Sequence, residues 1–190
     1  EVFSEHEFPE PTVGPGQVVI DVHASSVNPI DLKIRAGMVA PATPEFPATL
    51  HADVAGVVTE VGEGVEHLAV GDEVWGCAGG FRGLPSGALS ERMLTDAQLV
   101  TRKPKNLSMA EAAALPLVSL TAWFALKDRA QIQPGQQVLV HAGTGGVGHV
   151  GIQIAKHLGA TVHTTVSSDR KAELARELGA DVAINYRGLS

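Results

Sequence analysis

Apolar positions along this chain follow two different periods, and the change between them falls near residue 108. From Glu1 to about Pro104 the apolar runs are short, rich in Val and separated by turn residues. Gln17–Ala24 alternates, with Val18, Ile20, Val22 and Ala24 on one face and Gln17, Asp21 and His23 on the other, the period of a half-buried strand. Val54–Val61 predicts a second strand, ended by Gly62-Glu63-Gly64, and Gly71-Asp72 predicts a turn into a strand at Glu73–Trp75. Ala88–Leu94 and Gln98–Thr101 predict further short strands. Many short strands joined by Gly-containing turns predict a barrel-like all-β unit.

From Ser108 onward the period lengthens. Ser108-Met-Ala-Glu111 has the form of a capping box, in which the serine accepts from a free backbone N–H and Glu111 reaches back. The helix it opens meets Pro116, and a second helical stretch is predicted at about Val118–Ala130. A regular alternation follows: strand Gln137–Ala142, helix Val147–Leu158, strand Thr161–Val166, helix Asp169–Leu178 and strand Val182–Asn185. Val147, Val150, Ile154, Ala155 and Leu158 form the expected buried face of the first of these helices. Gly159-Ala160 and Gly179-Ala180 stop the two helices, each Gly at the left-handed position past a helix end. Strand–helix–strand with short joints predicts parallel pairing and right-handed crossovers.

Composition narrows the class. The 190 residues suffice for one large domain or two small ones, and 44% hydrophobic with 18% charged residues is ordinary for a globular protein. A net charge of −7 without a basic cluster argues against nucleic acid as a partner. No apolar run approaches the ~20 residues needed to cross a membrane, and the acidic stretch Glu1–Glu10 does not read as a signal peptide. A single cysteine, Cys77, excludes an internal disulfide and a four-cysteine zinc lobe, which makes a reducing cytoplasm the expected setting. Cys77 itself reads as a small buried hydrophobe rather than a reactive thiol.

The chemistry begins at Gly143-Thr144-Gly145-Gly146-Val147-Gly148, a G-x-G-x-x-G loop that follows a predicted strand and opens a predicted helix. Gly143 suits a tight turn, Gly145 a close approach of backbone to a pyrophosphate, and Gly148 close packing of helix on strand. The helix N-terminus adds free N–H groups for the phosphates. The bland alternative is a Gly-rich turn without a ligand. The end of the next strand selects the cofactor. Enzymes that use NAD place Asp or Glu there, on the ribose hydroxyls. Here the strand ends Val166-Ser167-Ser168, followed by Asp169-Arg170-Lys171. Two hydroxyls and Lys171 favour the 2′-phosphate of NADP. Asp169 dissents but reads as a helix first-turn acid, and Arg170 and Lys171 read equally as solvated helix charges.

Several stretches together resemble the zinc-lacking medium-chain dehydrogenase/reductases of the quinone oxidoreductase (zeta-crystallin-like) family. They are Ser26-Val-Asn-Pro-Ile-Asp-Leu-Lys-Ile-Arg-Ala-Gly37, Ala55-Gly-Val-Val-Thr-Glu-Val-Gly62, Val70-Gly-Asp-Glu-Val74, Leu115-Pro116 with Leu120-Thr-Ala122, and the Gly loop with its helix. The resemblance implies a GroES-like β-barrel catalytic domain over 1–116 and the first half of a Rossmann NADP-binding domain over 117–190. It implies hydride transfer from NADPH to a quinone or α,β-unsaturated carbonyl, and a homodimer when full length. It places Asn28 against nicotinamide and substrate, and Thr121 near the nicotinamide. Gly145, Gly146, Val147 and Gly148 would hold the pyrophosphate, and Ser167, Ser168 and Lys171 would surround the 2′-phosphate. Tyr186 would lie near the same phosphate or the adenosine ribose. As alternatives, Asn28 before Pro29 shapes a turn, and Thr121 bonds its own helix backbone.

Relatives that use zinc carry Cys where Asn28 stands and His where Ala52 stands. A catalytic zinc needs about three protein ligands, and His51 with Asp53 does not complete a set, so no metal is expected. Without zinc, charge on a carbonyl oxygen would be met by Asn28, the Thr121 hydroxyl or water. The loop Ala78–Gly87 is a candidate pocket lining. Only the first of two βαβ halves is visible, and a strand is expected ahead of Val2-Phe3, so the sequence reads as a truncated chain with little activity of its own. The rival readings are a relative of the zinc alcohol dehydrogenases and a non-catalytic NADPH-binding or structural protein.

Overall fold

The computed structural model describes residues 4–84 and 86–188. The strand expected ahead of Val2-Phe3 lies outside them. The chain forms two compact units, Glu1–Leu117 and Val118–Ser190.

The first unit is an antiparallel sheet of β1 (Gln17–Ser25), β2 (Asp53–Val61), β3 (Glu73–Cys77), β4 (Arg92–Asp96) and β5 (Val100–Arg102). Their spatial order is β4-β1-β2-β3-β5. The two edge strands are consecutive in the chain, joined only by a 3₁₀ turn at Ala97–Leu99, so the sheet must curl to bring its edges together. The enclosed core is aliphatic: Val18, Ile20, Val54, Val58, Val74, Met93 and Val100. β1 departs from simple alternation, because Val18, Val19 and Ile20 are all buried where a register shift against β2 falls between Val19 and Ile20. α1 (Pro29–Arg35) follows β1, and α2 (Met109–Ala113) packs on β1 and β2. α2 puts Ala112 and Ala113 against Ala55, and small side chains there allow close approach of helix to strand.

Two predicted strands shift. Ala88–Leu94 starts only at Arg92, and Gln98–Thr101 divides into the 3₁₀ turn and β5. In the first case Ser90 Oγ donates to Gly87 O at 2.7 Å, offering the backbone a local alternative to the ladder. In the second, Asp96 accepts from Gln98 N at 2.8 Å and caps the turn.

α3 (Pro116–Trp123) carries the chain across the boundary between the units and continues into a π-helical segment, Phe124–Arg129. The predicted helix at Val118–Ala130 thus starts earlier, with Pro116 in its first turn, where a missing N–H costs nothing.

The second unit is a parallel sheet in the order β6-β7-β8, from β6 (Gln137–Val140), β7 (Thr161–Val166) and β8 (Val182–Asn185), crossed by α4 (Gly146–His157) and α5 (Asp169–Glu177). Register pairs Val140 with Thr164 and Val166 with Asn185. This sets the strand C-termini at one edge, where ligands of such sheets bind. Ile152, Ala155, Val162, Val166, Ala172 and Ala175 form its core. On α4 the buried face is Val150, Ile152 and Ala155, while Val147 is 39% exposed. Gly159 and Gly179 do take positive φ, 83° and 107°.

Candidate functional site

In the second unit, α4 opens directly after the Gly loop. Gly145 is its N-cap, and the first intrahelical bond runs from His149 N to Gly145 O at 3.0 Å. The N–H groups of Gly146, Val147 and Gly148 precede that bond; Gly146 and Val147 are exposed and Gly148 is buried. The tight turn is made by Ala142 (φ 53°) rather than by Gly143. Ala142 is held there by its N–H to Thr165 Oγ1 at 3.1 Å. Gly143 serves packing instead: a Cβ on it would lie 2.1 Å from Thr164 Oγ1 and 2.7 Å from Ile152 Cδ1. A Cβ on Gly148 would lie 2.2 Å from Ala142 O, so α4 can start this close to β6 only without a side chain there. A bare backbone at a helix N-terminus is the kind of cradle that could hold the pyrophosphate of a dinucleotide.

At the ends of β7 and β8 the structure gathers the residues expected around a 2′-phosphate. Ser168 caps α5, its Oγ accepting from Lys171 N at 3.4 Å, and Lys171 Nζ donates to Ser167 Oγ at 3.3 Å. Capping uses an acceptor site on Ser168 and leaves its O–H able to donate. Asp169 stands in the first turn of α5, and its Oδ1 accepts from Asn185 Nδ2 at 2.8 Å. Tyr186 follows Asn185, is 52% exposed and opens the 3₁₀ turn Tyr186–Gly188. Because Val166 pairs with Asn185, Ser167 and Tyr186 leave neighbouring strands side by side.

The first unit contains a separate buried polar cluster centred on Asp53. Asp53 is fully buried at the start of β2. Its Oδ2 accepts from Ser26 Oγ at 2.6 Å and Asn28 Nδ2 at 2.9 Å, and its Oδ1 from Leu117 N at 2.8 Å. Asn28 Nδ2 also lies 2.9 Å from Ser26 Oγ, and because the two acceptors are themselves 2.6 Å apart, they share one side of the amide. Asn28 N–H donates to Asp31 Oδ2 at 2.6 Å and opens α1. Burial pushes the Asp53 carboxyl above the usual carboxylate range, against the hydrogen bonds from Ser26, Asn28 and Leu117. Opposite it in the ladder, burial and the Asp53 charge push the Cys77 thiol up to about 12, which makes it a poor nucleophile. His51 is buried in a left-handed conformation (φ 70°), hydrogen-bonded to Ser25 Oγ at 3.1 Å.

Thr121 lies on an exposed position of α3. Among the described residues, no three His, Cys, Asp or Glu side chains converge as a metal site would require. Gly83, Leu84 and Ser86 of the Ala78–Gly87 loop line a cavity of about 400 Å³ with residues of β1 and β4, and neither Asn28 nor Asp53 borders it. Three participants escaped the sequence reading. In the sequence Asp53 is weighed with His51 as a metal ligand and not as the partner of Asn28. Ala142 and Asn185 act through backbone conformation and a register that residue types do not display.

Residues 14–105 match the alcohol dehydrogenase GroES-like domain, and residues 146–190 match the zinc-binding dehydrogenase domain. An alcohol dehydrogenase superfamily protein from Novosphingobium aromaticivorans superimposes with a TM-score of 0.90 at 45% identity, over 96% of this chain and 54% of its own. Escherichia coli quinone oxidoreductase complexed with NADPH superimposes with a TM-score of 0.82 at 35% identity, over 96% and 54%. The 2-methylene-furan-3-one reductase of Solanum lycopersicum is 43% identical over 93% of this chain and 46% of its own length. The chain therefore belongs to the medium-chain dehydrogenase/reductases, among the quinone oxidoreductase-like members, a family of oxidoreductases. It spans about half the length of these relatives.

Proposed function

We propose that the chain belongs to an NADPH-dependent reductase that delivers a hydride to a quinone or an α,β-unsaturated carbonyl without zinc. The observation that carries the cofactor choice is the joined group of Ser167, Ser168 and Lys171 at the end of β7. Two hydroxyls and an ammonium there offer donors to a phosphate dianion. The N–H groups of Gly146, Val147 and Gly148 would hold the pyrophosphate, and Tyr186 would lie near the 2′-phosphate or the adenosine ribose. When bound, the nicotinamide supplies the hydride. A reductase complexed with NADPH and another named for a methylene-furanone, both similar to this chain, support the reaction class.

Absence of zinc is supported by the donor set. Asn28 and Ala52 stand at the ligand positions, and the Asn28 amide is committed to Ser26 and Asp53. Asn28, the Thr121 hydroxyl or a water would meet charge on the acceptor oxygen. A quinone takes its protons from solvent. The family resemblance supports a cytoplasmic homodimer for the full-length protein; among the described residues no helix is long and apolar enough to cross a membrane.

Following NADPH and NADH absorbance against 1,2- and 1,4-quinones, enones and simple aldehydes, with metal analysis alongside, tests this reading. NADPH-linked turnover of quinones or enones by the metal-free full-length protein is expected. Turnover confined to alcohols or aldehydes with stoichiometric zinc contradicts it, as does binding of NADPH with no oxidation by any acceptor.

A further inference from the structure

Asp169 poses a problem that the Ser167, Ser168 and Lys171 group does not by itself resolve. It is adjacent to Ser168 and two residues from Lys171, so its carboxylate lies within a side chain's reach of the place proposed for a phosphate. A carboxylate free to turn toward that place would repel the phosphate and accept from a ribose hydroxyl instead, which is how NAD-selective sites work. The structure shows what restrains it. Asn185, the last residue of β8, pairs in register with Val166, the last residue of β7. From there Asn185 Nδ2 reaches Asp169 Oδ1 at 2.8 Å. The orientation of the amide is fixed from its other end, where Asn185 Oδ1 accepts from Arg187 N at 3.2 Å in the turn after β8. An amide turned the other way would set its oxygen against the carboxylate and its NH₂ against an N–H, so one orientation is strongly favoured.

We infer that Asn185 is a specificity-determining residue that acts through Asp169, holding this carboxylate toward β8 and away from the 2′-phosphate. It is a positioning residue: its effect on cofactor choice depends on Asp169 being present. The inference rests on the NADP reading above, since a site without a 2′-phosphate has no use for such a tether. Freed from Asn185, Asp169 samples positions next to Ser167 and Lys171. One added charge at contact distance in a water-exposed setting amounts to about fivefold in affinity.

The test uses 2′,5′-ADP and 5′-AMP, which differ only in the 2′-phosphate, with NADPH and NADH as the full-length counterparts. Dissociation constants are measured by calorimetry for the wild type, Asn185→Ala, Asp169→Ala and the double variant. The wild type is expected to prefer 2′,5′-ADP. Asn185→Ala should lose about fivefold of that preference, Asp169→Ala should keep it, and the double variant should regain it. An unchanged ratio in Asn185→Ala overturns the tether while leaving the NADP reading in place. An equal loss in the double variant also overturns it, because Asn185 would then act through Arg187 and the turn. A wild type indifferent to the 2′-phosphate overturns the NADP reading and the tether together.

Discussion

Asn28 Nδ2 and Asp53 Oδ2 lie 2.9 Å apart in the interior of the first unit, joining a residue before α1 to the first residue of β2. The pair sets the amide of Asn28 in one orientation, and Ser26 and Leu117 complete the shell around the carboxylate. Asp53→Ala removes the acceptor of the Ser26 hydroxyl and one acceptor each from the Asn28 amide and the Leu117 N–H. A buried donor left unpaired costs about 1–3 kcal/mol, so urea denaturation should show a loss of at least that size. A variant as stable as the wild type would mean that the cluster is hydrated or rearranges freely.

The pH dependence of stability should carry opposite signs at two carboxylates. Asp53 has a folded pKa raised by burial. Its contribution is therefore present below the unfolded value, near 4, and is lost as pH rises through the folded value. Asp181 has a lowered one, held down by the Val162 N–H and Lys156. Its contribution is present above the unfolded value and is lost as pH falls through the folded value. Relative to Asp53→Asn, the wild type should lose ground from pH 4 upward; relative to Asp181→Asn it should gain ground over the pH range below that. Denaturation midpoints across pH read both slopes, and the same sign for both variants would contradict these environments.

Ile152 and Val147 share α4 but not its fate. Ile152 is fully buried and reaches the Gly143 turn, whereas Val147 is 39% exposed. Ile152→Ala should cost about 2–5 kcal/mol, and Val147→Ala should stay within about 1 kcal/mol. Comparable losses in thermal denaturation would show that Val147 is buried as well.

The two glycines at the start of α4 should also separate. A Cβ at Gly148 meets Ala142 O at 2.2 Å, while one at Gly146 comes no closer than 3.4 Å, to Val118 Cγ1. Gly148→Ala should destabilise by about 1–3 kcal/mol and weaken dinucleotide binding by displacing the helix start. Gly146→Ala should leave stability within about 0.5 kcal/mol. Equal behaviour in calorimetry and cofactor titration would remove the close approach from the account.

How much of this the residues display depends on how local the cause is. β7 and β8 fall where their Val and Ile content and flanking Gly place them, and the Ser108–Glu111 capping box forms with Ser108 N donating to Glu111 Oε2 at 2.8 Å. These are set within a few positions of sequence. The burial of Ile152 in place of Val147 is not, because the Gly143 turn that covers it is placed by Thr164 and Thr165 on another strand. The family resemblance over Ser26–Gly37 singles out Asn28 as a candidate. Its partner lies 25 residues away, and only the β1–β2 register brings Asp53 to it. The same holds for Asn185 and Asp169, joined across β7 and β8.

The most direct measurement is the pair of dissociation constants for NADPH and NADH, obtained by fluorescence titration of the wild type and of Lys171→Ala. A charge-assisted hydrogen bond to a phosphate is worth about 1.5–3 kcal/mol, so NADPH should bind at least about tenfold more tightly than NADH. Lys171→Ala should remove most of that difference while leaving NADH affinity unchanged. NADH binding as tightly as NADPH, or a Lys171 variant that weakens both equally, would contradict the assignment of Ser167, Ser168 and Lys171 to the 2′-phosphate.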